Sequence, residues 1–207
     1  MTAIRRRFPD YDVLANRNTP SWNEQTRRVV DERLQIRDEP QFFTEDEWLT
    51  LRAVCSRIVP QPPGRERPIP VAAMIDRKMH QGKDDGYRLA EMPPMQQAWR
   101  QGLAALDEEA KLRFGARFHE LPPGRQDSVL SLVQQGEVRV KGWRGLPAQK
   151  FFMKRVLHDA VSAYYAHPTA WNEIGFGGPA SPRGYVRMDF NRRDPWEAKE
   201  REDVLHR

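Results

Sequence analysis

The stretch from His167 to Tyr185 (HPTAWNEIGFGGPASPRGY) constrains this chain most, because it follows the longest helical pattern with a run that has no helical period. It holds four glycines and three prolines among Trp171, Phe176, Arg183 and Tyr185. Glycine allows positive φ and close backbone approach, while proline fixes φ and removes a donor. At this density they specify one irregular path, and the rings along it need a surface to bury against. Either the chain's own helices or another protein could supply that surface.

At 207 residues the chain is long enough for one domain with a core, or for one domain plus arms. It is polar for its size, with 39% hydrophobic and 30% charged residues. Long peripheral segments, or ordering against a partner, would account for that balance. The net charge of +5, from 34 basic and 29 acidic residues, is not the footprint of a dedicated nucleic-acid binder. A single cysteine, Cys55, excludes an intrachain disulfide and a thiolate metal cluster, and fits a reducing compartment. No apolar run approaches the roughly 18 residues that span a bilayer. Arg5-Arg6-Arg7-Phe8 has the opening of a twin-arginine export signal, but Pro9-Asp10-Tyr11-Asp12 follows in place of an apolar region. The expectation is an arginine cluster and a cytoplasmic protein.

Residues 1–20 show no period and read as an extended arm. Trp22 to Leu34 reads as a short helix, with Ser21 as N-cap and only a thin apolar stripe, stable only when docked. Thr44 to Val59 is the first strong helix: Thr44 and Glu47 form a capping box, and Trp48, Leu51, Val54, Cys55 and Ile58 recur on one face. A second helix begins at Pro70 and stops near Gly82, before a polar loop. A third begins at Pro94 and carries Met95, Ala98, Trp99, Gly102, Leu103 and Leu106. Asp107 then caps a separate short helix ending near Gly115. Another runs from Pro123 to Gly136, and a basic loop surrounds Trp143. The longest helix starts at Pro147 and ends near Tyr165, with Phe152, Val156, Ala160 and Tyr164 in one line and Met153, Leu157 and Val161 in a second. The tail from Val186 is charged and aperiodic.

The fold class is therefore all-α: a compact bundle of about six helices with extended N- and C-terminal arms and an irregular Gly/Pro-rich segment. The expected divisions are an N-terminal arm with a short helix (1–41), a helical subunit domain (42–185) and a charged tail (186–207). The widest stripes predict that Trp48, Leu51, Trp99, Leu103, Phe152 and Val156 are buried together.

The search for chemistry returns little. None of the five histidines pairs with another at i+3 or i+4, and no carboxylate stands at a recognisable metal spacing from them. His158 adjoins Asp159, but sequence neighbours on a helix point in different directions and are not expected to meet. Gly175-Phe176-Gly177-Gly178 follows a helix and runs into Pro179 and Pro182, unlike a dinucleotide loop. No Gly-x-Ser-x-Gly elbow is present. Arg139 to Arg144, around Trp143, and Arg183 to Arg187, around Tyr185, mix basic and aromatic residues. Stacking on a base is conceivable there. Acidic residues are interspersed along most of the chain, so a protein contact is favoured, with Trp171, Phe176, Arg183 and Tyr185 as interface anchors. No catalytic, cofactor-binding or metal residue is assigned. The alternatives are a self-contained enzyme using His158 or His167, and a nucleic-acid-binding module.

The pieces FFTEDEW (42–48), RIVP (57–60), WRQGLAALD (99–107), FHEL (118–121) with Gln126, Phe151-Phe152, Tyr164-Tyr165 and WNEIGFGGP (171–179) stand in this order. Together they resemble the gluconate 2-dehydrogenase subunit 3 family over about residues 42–185. The resemblance implies a non-catalytic accessory subunit without a cofactor of its own. Its partner would be a large FAD-dependent dehydrogenase of the glucose-methanol-choline oxidoreductase type, and a cytochrome subunit is a further candidate partner. Nucleic-acid binding and direct membrane insertion are not implied. Family members often bear a twin-arginine signal, so a periplasmic location is the alternative that the resemblance raises.

Overall fold

Caps decide where the best-formed helices begin. The Thr44 hydroxyl accepts the Glu47 N–H at 3.4 Å, and the Glu47 carboxylate accepts the Thr44 N–H at 2.9 Å. This reciprocal capping box opens helix α2 (Glu45–Ile58), as its residues predict. The computed structural model describes residues 7–86, 89–180, 184 and 197–201. Regular structure among those residues is helical, with no strand. They fall into two units, one of residues 37–164 and one formed by the two ends of the chain.

In the 37–164 unit, α2 packs against α3 (Val71–His80), α4 (Met95–Phe114) and α5 (Pro123–Gln135). A short helix, α6 (Ala148–Phe151), passes into a π-helical segment (Phe152–Leu157) and then into α7 (His158–Ala166). Trp48, Leu51, Trp99, Leu103, Phe152 and Val156 are all buried, as their stripes predict. The Trp99 ring meets Phe151 edge-on, with centroids 5.5 Å apart. Gly102 permits the approach of α4 to Phe151, since a Cβ there would lie 2.2 Å from Phe151 Cζ.

One helix expected to break here does not. The sequence places a cap at Asp107, yet α4 runs unbroken to Phe114 and stops at Gly115, with φ of 75°. The Asp107 carboxylate serves other elements instead, accepting the Thr50 hydroxyl and the Phe118 N–H, each at 3.0 Å. Another carboxylate, Asp76, is fully buried and accepts the backbone N–H groups of Gln41, Phe42 and Phe43 at 2.7, 3.1 and 3.0 Å. It fixes the path by which the chain enters α2.

The unit of chain ends departs further from expectation. Val13–Asn18 forms a 3₁₀ helix where an extended arm was expected, with the Asp12 carboxylate accepting the Leu14 N–H at 3.0 Å. Helix α1 (Glu24–Leu34) is capped by Asn23 rather than Ser21, the Asn23 side chain accepting the Thr26 N–H at 2.8 Å. The stretch expected to be wholly irregular contains α8 (Pro168–Ile174). His167 caps it by accepting the Thr169 N–H at 3.3 Å, proline stands in its first turn, and Gly175 closes it at φ of 67°. Val13, Trp22, Val30 and Trp171 form the core of this unit. The Asn172 carboxamide locks the two chain segments together by accepting the Val13 N–H at 2.8 Å. Among the described residues, no helix is long and apolar enough to cross a membrane.

Candidate functional site

The four residues assigned to an interface separate in the structure. Trp171 is only 4% exposed and belongs to the core of its own unit; its indole N–H donates to the Tyr165 carbonyl at 2.6 Å. Arg33 donates to the Ala166 carbonyl at 2.9 Å, and its guanidinium lies 6.0 Å from the Trp171 ring centroid. Phe176, by contrast, is 38% exposed. Its ring meets Trp171 edge-on at 5.6 Å, its N–H donates to the Trp171 carbonyl at 3.0 Å, and its carbonyl accepts the Tyr11 hydroxyl at 3.2 Å. An exposed ring is thus held on a fixed backbone. Ile174, which sequence reasoning did not single out, is 49% exposed two residues before it. Arg183 and Tyr185 lie outside the described residues.

The 37–164 unit holds a cluster of charge at the junction of the π segment and α7. Asp159 is buried and accepts the Trp99 indole N–H at 2.9 Å and Lys78 Nζ at 3.0 Å. Lys78 Nζ also donates to Asp85 at 2.6 Å, and Asp85 accepts a further bond from buried Arg155 at 2.7 Å. Burial works against the charge on Asp85, but hydrogen bonds and attraction from Lys78 and Arg155 outweigh it and hold the carboxyl below its ordinary range. Burial also works against the charge on Lys78, and the two carboxylates outweigh it and push the ammonium up.

His158 joins this cluster, against expectation. Its Nδ1 lies 3.3 Å from Asp159 Oδ1 although the two are sequence neighbours. The two residues open α7 directly after the π segment. Chemically, the arrangement is an exposed imidazole oriented by a buried carboxylate. Acceptor atoms of Asp85, His158 and Asp159 lie within 4.8 Å of one another. Lys78 Nζ bonds both carboxylates and takes the position that a cation would need. His167 serves α8 as a cap and is buried.

The network of Lys78, Asp85 and Arg155 was not foreseen: Lys78 and Asp85 stand near each other in sequence, but Arg155 and Asp159 reach them from distant positions that no local signal links. Asp76 could have been found. It falls on the stripe of Ala72, Ile75 and Met79, where a carboxylate must be buried and therefore bonded. Trp143, offered as a stacking residue, is buried and its ring lies 5.9 Å from Phe151.

A family model described as Gluconate 2-dehydrogenase subunit 3 matches residues 45–178. No curated protein and no solved structure is matched. The matched region runs from the first residue of α2, through every helix of the 37–164 unit, to Gly178 beyond α8. On that coverage, this chain belongs to the gluconate 2-dehydrogenase subunit 3 family.

Proposed function

We propose that this chain is a non-catalytic small subunit that binds and stabilises a large FAD-dependent dehydrogenase of the glucose-methanol-choline type. The partner would oxidise an alcohol or sugar and hold the FAD, and a cytochrome subunit is a further candidate member of the complex. Family membership supports a subunit role in a gluconate dehydrogenase complex. The observation that carries the docking reading is Phe176, an exposed aromatic on a backbone held by Trp171 and Tyr11. A ring already fixed in place loses little conformational freedom on binding, and aromatic anchors dominate interface energetics. Trp171 supports Phe176 from beneath, and Arg183 and Tyr185 complete the proposed surface by sequence alone.

The test is co-expression with the large flavoprotein subunit of the same host. Phe176→Ala should melt like the wild type yet lose roughly 2–4 kcal/mol of affinity for the flavoprotein. Failure of the wild-type chain to co-purify with that subunit would refute the subunit role, and stoichiometric FAD on the isolated chain would refute the assignment of flavin to the partner. We take assembly to be cytoplasmic, on the residues that follow Arg5-Arg6-Arg7 alone; recovery of the complex in a periplasmic extract would overturn this. The contact of His158 with buried Asp159 favours one second reading, proton transfer by the chain itself. It requires turnover by the isolated chain that His158→Ala abolishes.

A further inference from the structure

Six of the chain's 34 basic residues and none of its 29 acidic ones lie between positions 138 and 157. The rest of the chain, with 28 basic and 29 acidic residues, therefore has a net charge of −1 and leaves the whole positive balance to this stretch. Two of the six are neutralised where they stand: Arg155 by Asp85 and Lys150 by Glu91. Arg139, Lys141, Arg144 and Lys154 are exposed, and none pairs with a carboxylate among the described residues.

Three of these four project from a loop whose backbone is tied to a single line of α4. Gln101, Ala105, Glu109 and Arg113 follow one another at intervals of four, one helical turn apart. The Gln101 carboxamide donates to the carbonyls of Gly142 and Arg144 at 2.8 and 2.9 Å. Gly142 packs on Ala105, where an added Cβ would stand 3.1 Å from the alanine's own. Glu109 is 1% exposed and accepts the backbone N–H groups of Arg139 and Val140, the latter at 2.9 Å. Arg113 bonds Glu109 at 3.0 Å and donates to the Glu137 carbonyl at 2.8 Å. Burial works against the charge on Glu109, but these backbone donors and Arg113 prevail and keep it ionised below the usual range. Trp143 is turned into the core, so the loop is fastened from beneath while its cations face outward. Exposed Glu137 opens the loop and Glu108 approaches at Gly142, but these two carboxylates do not cancel three cations.

We infer that this fastened loop, residues 137–144, is an electrostatic docking surface for an acidic face of the large flavoprotein subunit, an inference that rests on the proposed subunit role. A protein partner is favoured over nucleic acid on two grounds. Trp143 is buried and cannot stack on a base, and outside this stretch the chain is balanced, with 28 basic and 29 acidic residues, so its composition gives no basic track for a phosphate chain to follow. A lipid surface is disfavoured because the loop exposes no ring or large aliphatic side chain to enter it. A preformed basic loop speeds encounter with an acidic partner and fixes its register, and salt screens both effects.

The experiment measures association of the purified full chain with the flavoprotein subunit over a series of salt concentrations. The wild-type rate should fall steeply with salt. R139E/K141E/R144E should lower the low-salt rate about tenfold or more and flatten the salt dependence, with an unchanged melting temperature. The neutral variant R139Q/K141Q/R144Q should lie between them, and it serves in place of the reversal variant if that one misfolds. A complex that forms at the wild-type rate in both variants overturns this inference and leaves the subunit role standing. No complex with the wild-type chain removes both. Binding of the wild type to a duplex oligonucleotide or to phosphatidylserine vesicles, lost in the reversal variant while the flavoprotein rate is unchanged, overturns the inference in favour of that ligand.

Discussion

The two units are held together in different ways. The 37–164 unit builds its core from helices that follow one another in sequence, and it buries carboxylates that tie loops to helices: Asp76 at the entry to α2, Glu109 under the basic loop, and Asp159 on Trp99. The unit of chain ends centres on a small cluster, Val13, Trp22, Val30 and Trp171, drawn from opposite ends of the sequence. Joining distant segments carries a loop-closure cost that local helix packing avoids. Fewer buried apolar side chains then offset that cost, so this unit is expected to open first. The family match sharpens the contrast, because it includes Trp171 but begins after the residues clustered with it: Val13, Trp22 and Val30 precede position 45. A shared motif can therefore depend on packing partners that lie outside the shared region.

The largest expected effect compares one tryptophan from each unit. Trp99 is fully buried and donates to Asp159, so Trp99→Ala removes core volume and takes a partner from a buried carboxylate. It should cost roughly 3–5 kcal/mol, read by denaturant unfolding. Trp171→Ala deletes the same ring from the smaller core and should cost about 3 kcal/mol within its own unit. Hydrogen exchange should then show loss of protection in α1 and α8, with the amides of α2 to α5 unchanged. If both variants lower one common transition equally, the two units unfold as a single body and the contrast fails.

Acid should separate the units next. Asp85 and Glu109 have folded-state pKa values below their unfolded ones. Such groups contribute stability that is complete above the unfolded value, about 4, and is lost as pH falls through the lower folded value. Lys78 has the opposite sign: its pKa is raised, so its contribution is complete below its unfolded value, about 10, and is lost as pH rises through the folded one. In the other unit, Asp31 is also held low by Arg17, but that pair stands at the surface, where salt screens it. In high salt, acid unfolding should therefore persist in the 37–164 unit and weaken in the other. Asp85→Asn should flatten the acid limb of the first and leave the second alone, as followed by exchange or by unit-specific fluorescence.

What could be read from the sequence follows the same division. Pro70, Pro94, Pro123 and Pro147 mark helix starts, Gly115 and Gly136 mark stops, and the Trp48, Trp99 and Phe152 stripes give the core, all by local rules. Two failures were local as well. Asp107 reads as a cap because acids favour helix starts, yet its carboxylate serves Thr50 and Phe118. Helix α8 has seven residues, too few for a helical period to emerge, so its Pro168 and Gly175 brackets resembled irregularity. The destination of Trp171 was of another kind. Aromatic rings serve cores and interfaces alike, and only the long-range pairing with the N-terminal segment decides between them. The candidate site was legible at Phe176 and hidden at the Lys78, Asp85 and Arg155 network, whose members meet only once the helices pack.

The smallest effect tests how closely the chain ends fit. Gly175 sits at φ of 67°, and a Cβ there would approach Phe8 Cζ to 2.6 Å. Gly175→Ala therefore combines left-handed backbone strain of about 1 kcal/mol with displacement of the Phe8 ring, for a total of about 1–2 kcal/mol. A double-mutant cycle divides the two contributions, since Phe8→Ala removes the obstructing ring. In the Phe8→Ala background, Gly175→Ala should cost only the backbone strain, about 1 kcal/mol. Equal costs in both backgrounds would mean that Phe8 yields freely and that the N-terminal segment covers α8 loosely. A smaller cost in the Phe8→Ala background would mean that the fit at Gly175 is tight, and that the packing of the chain ends resists small changes even where few side chains supply it.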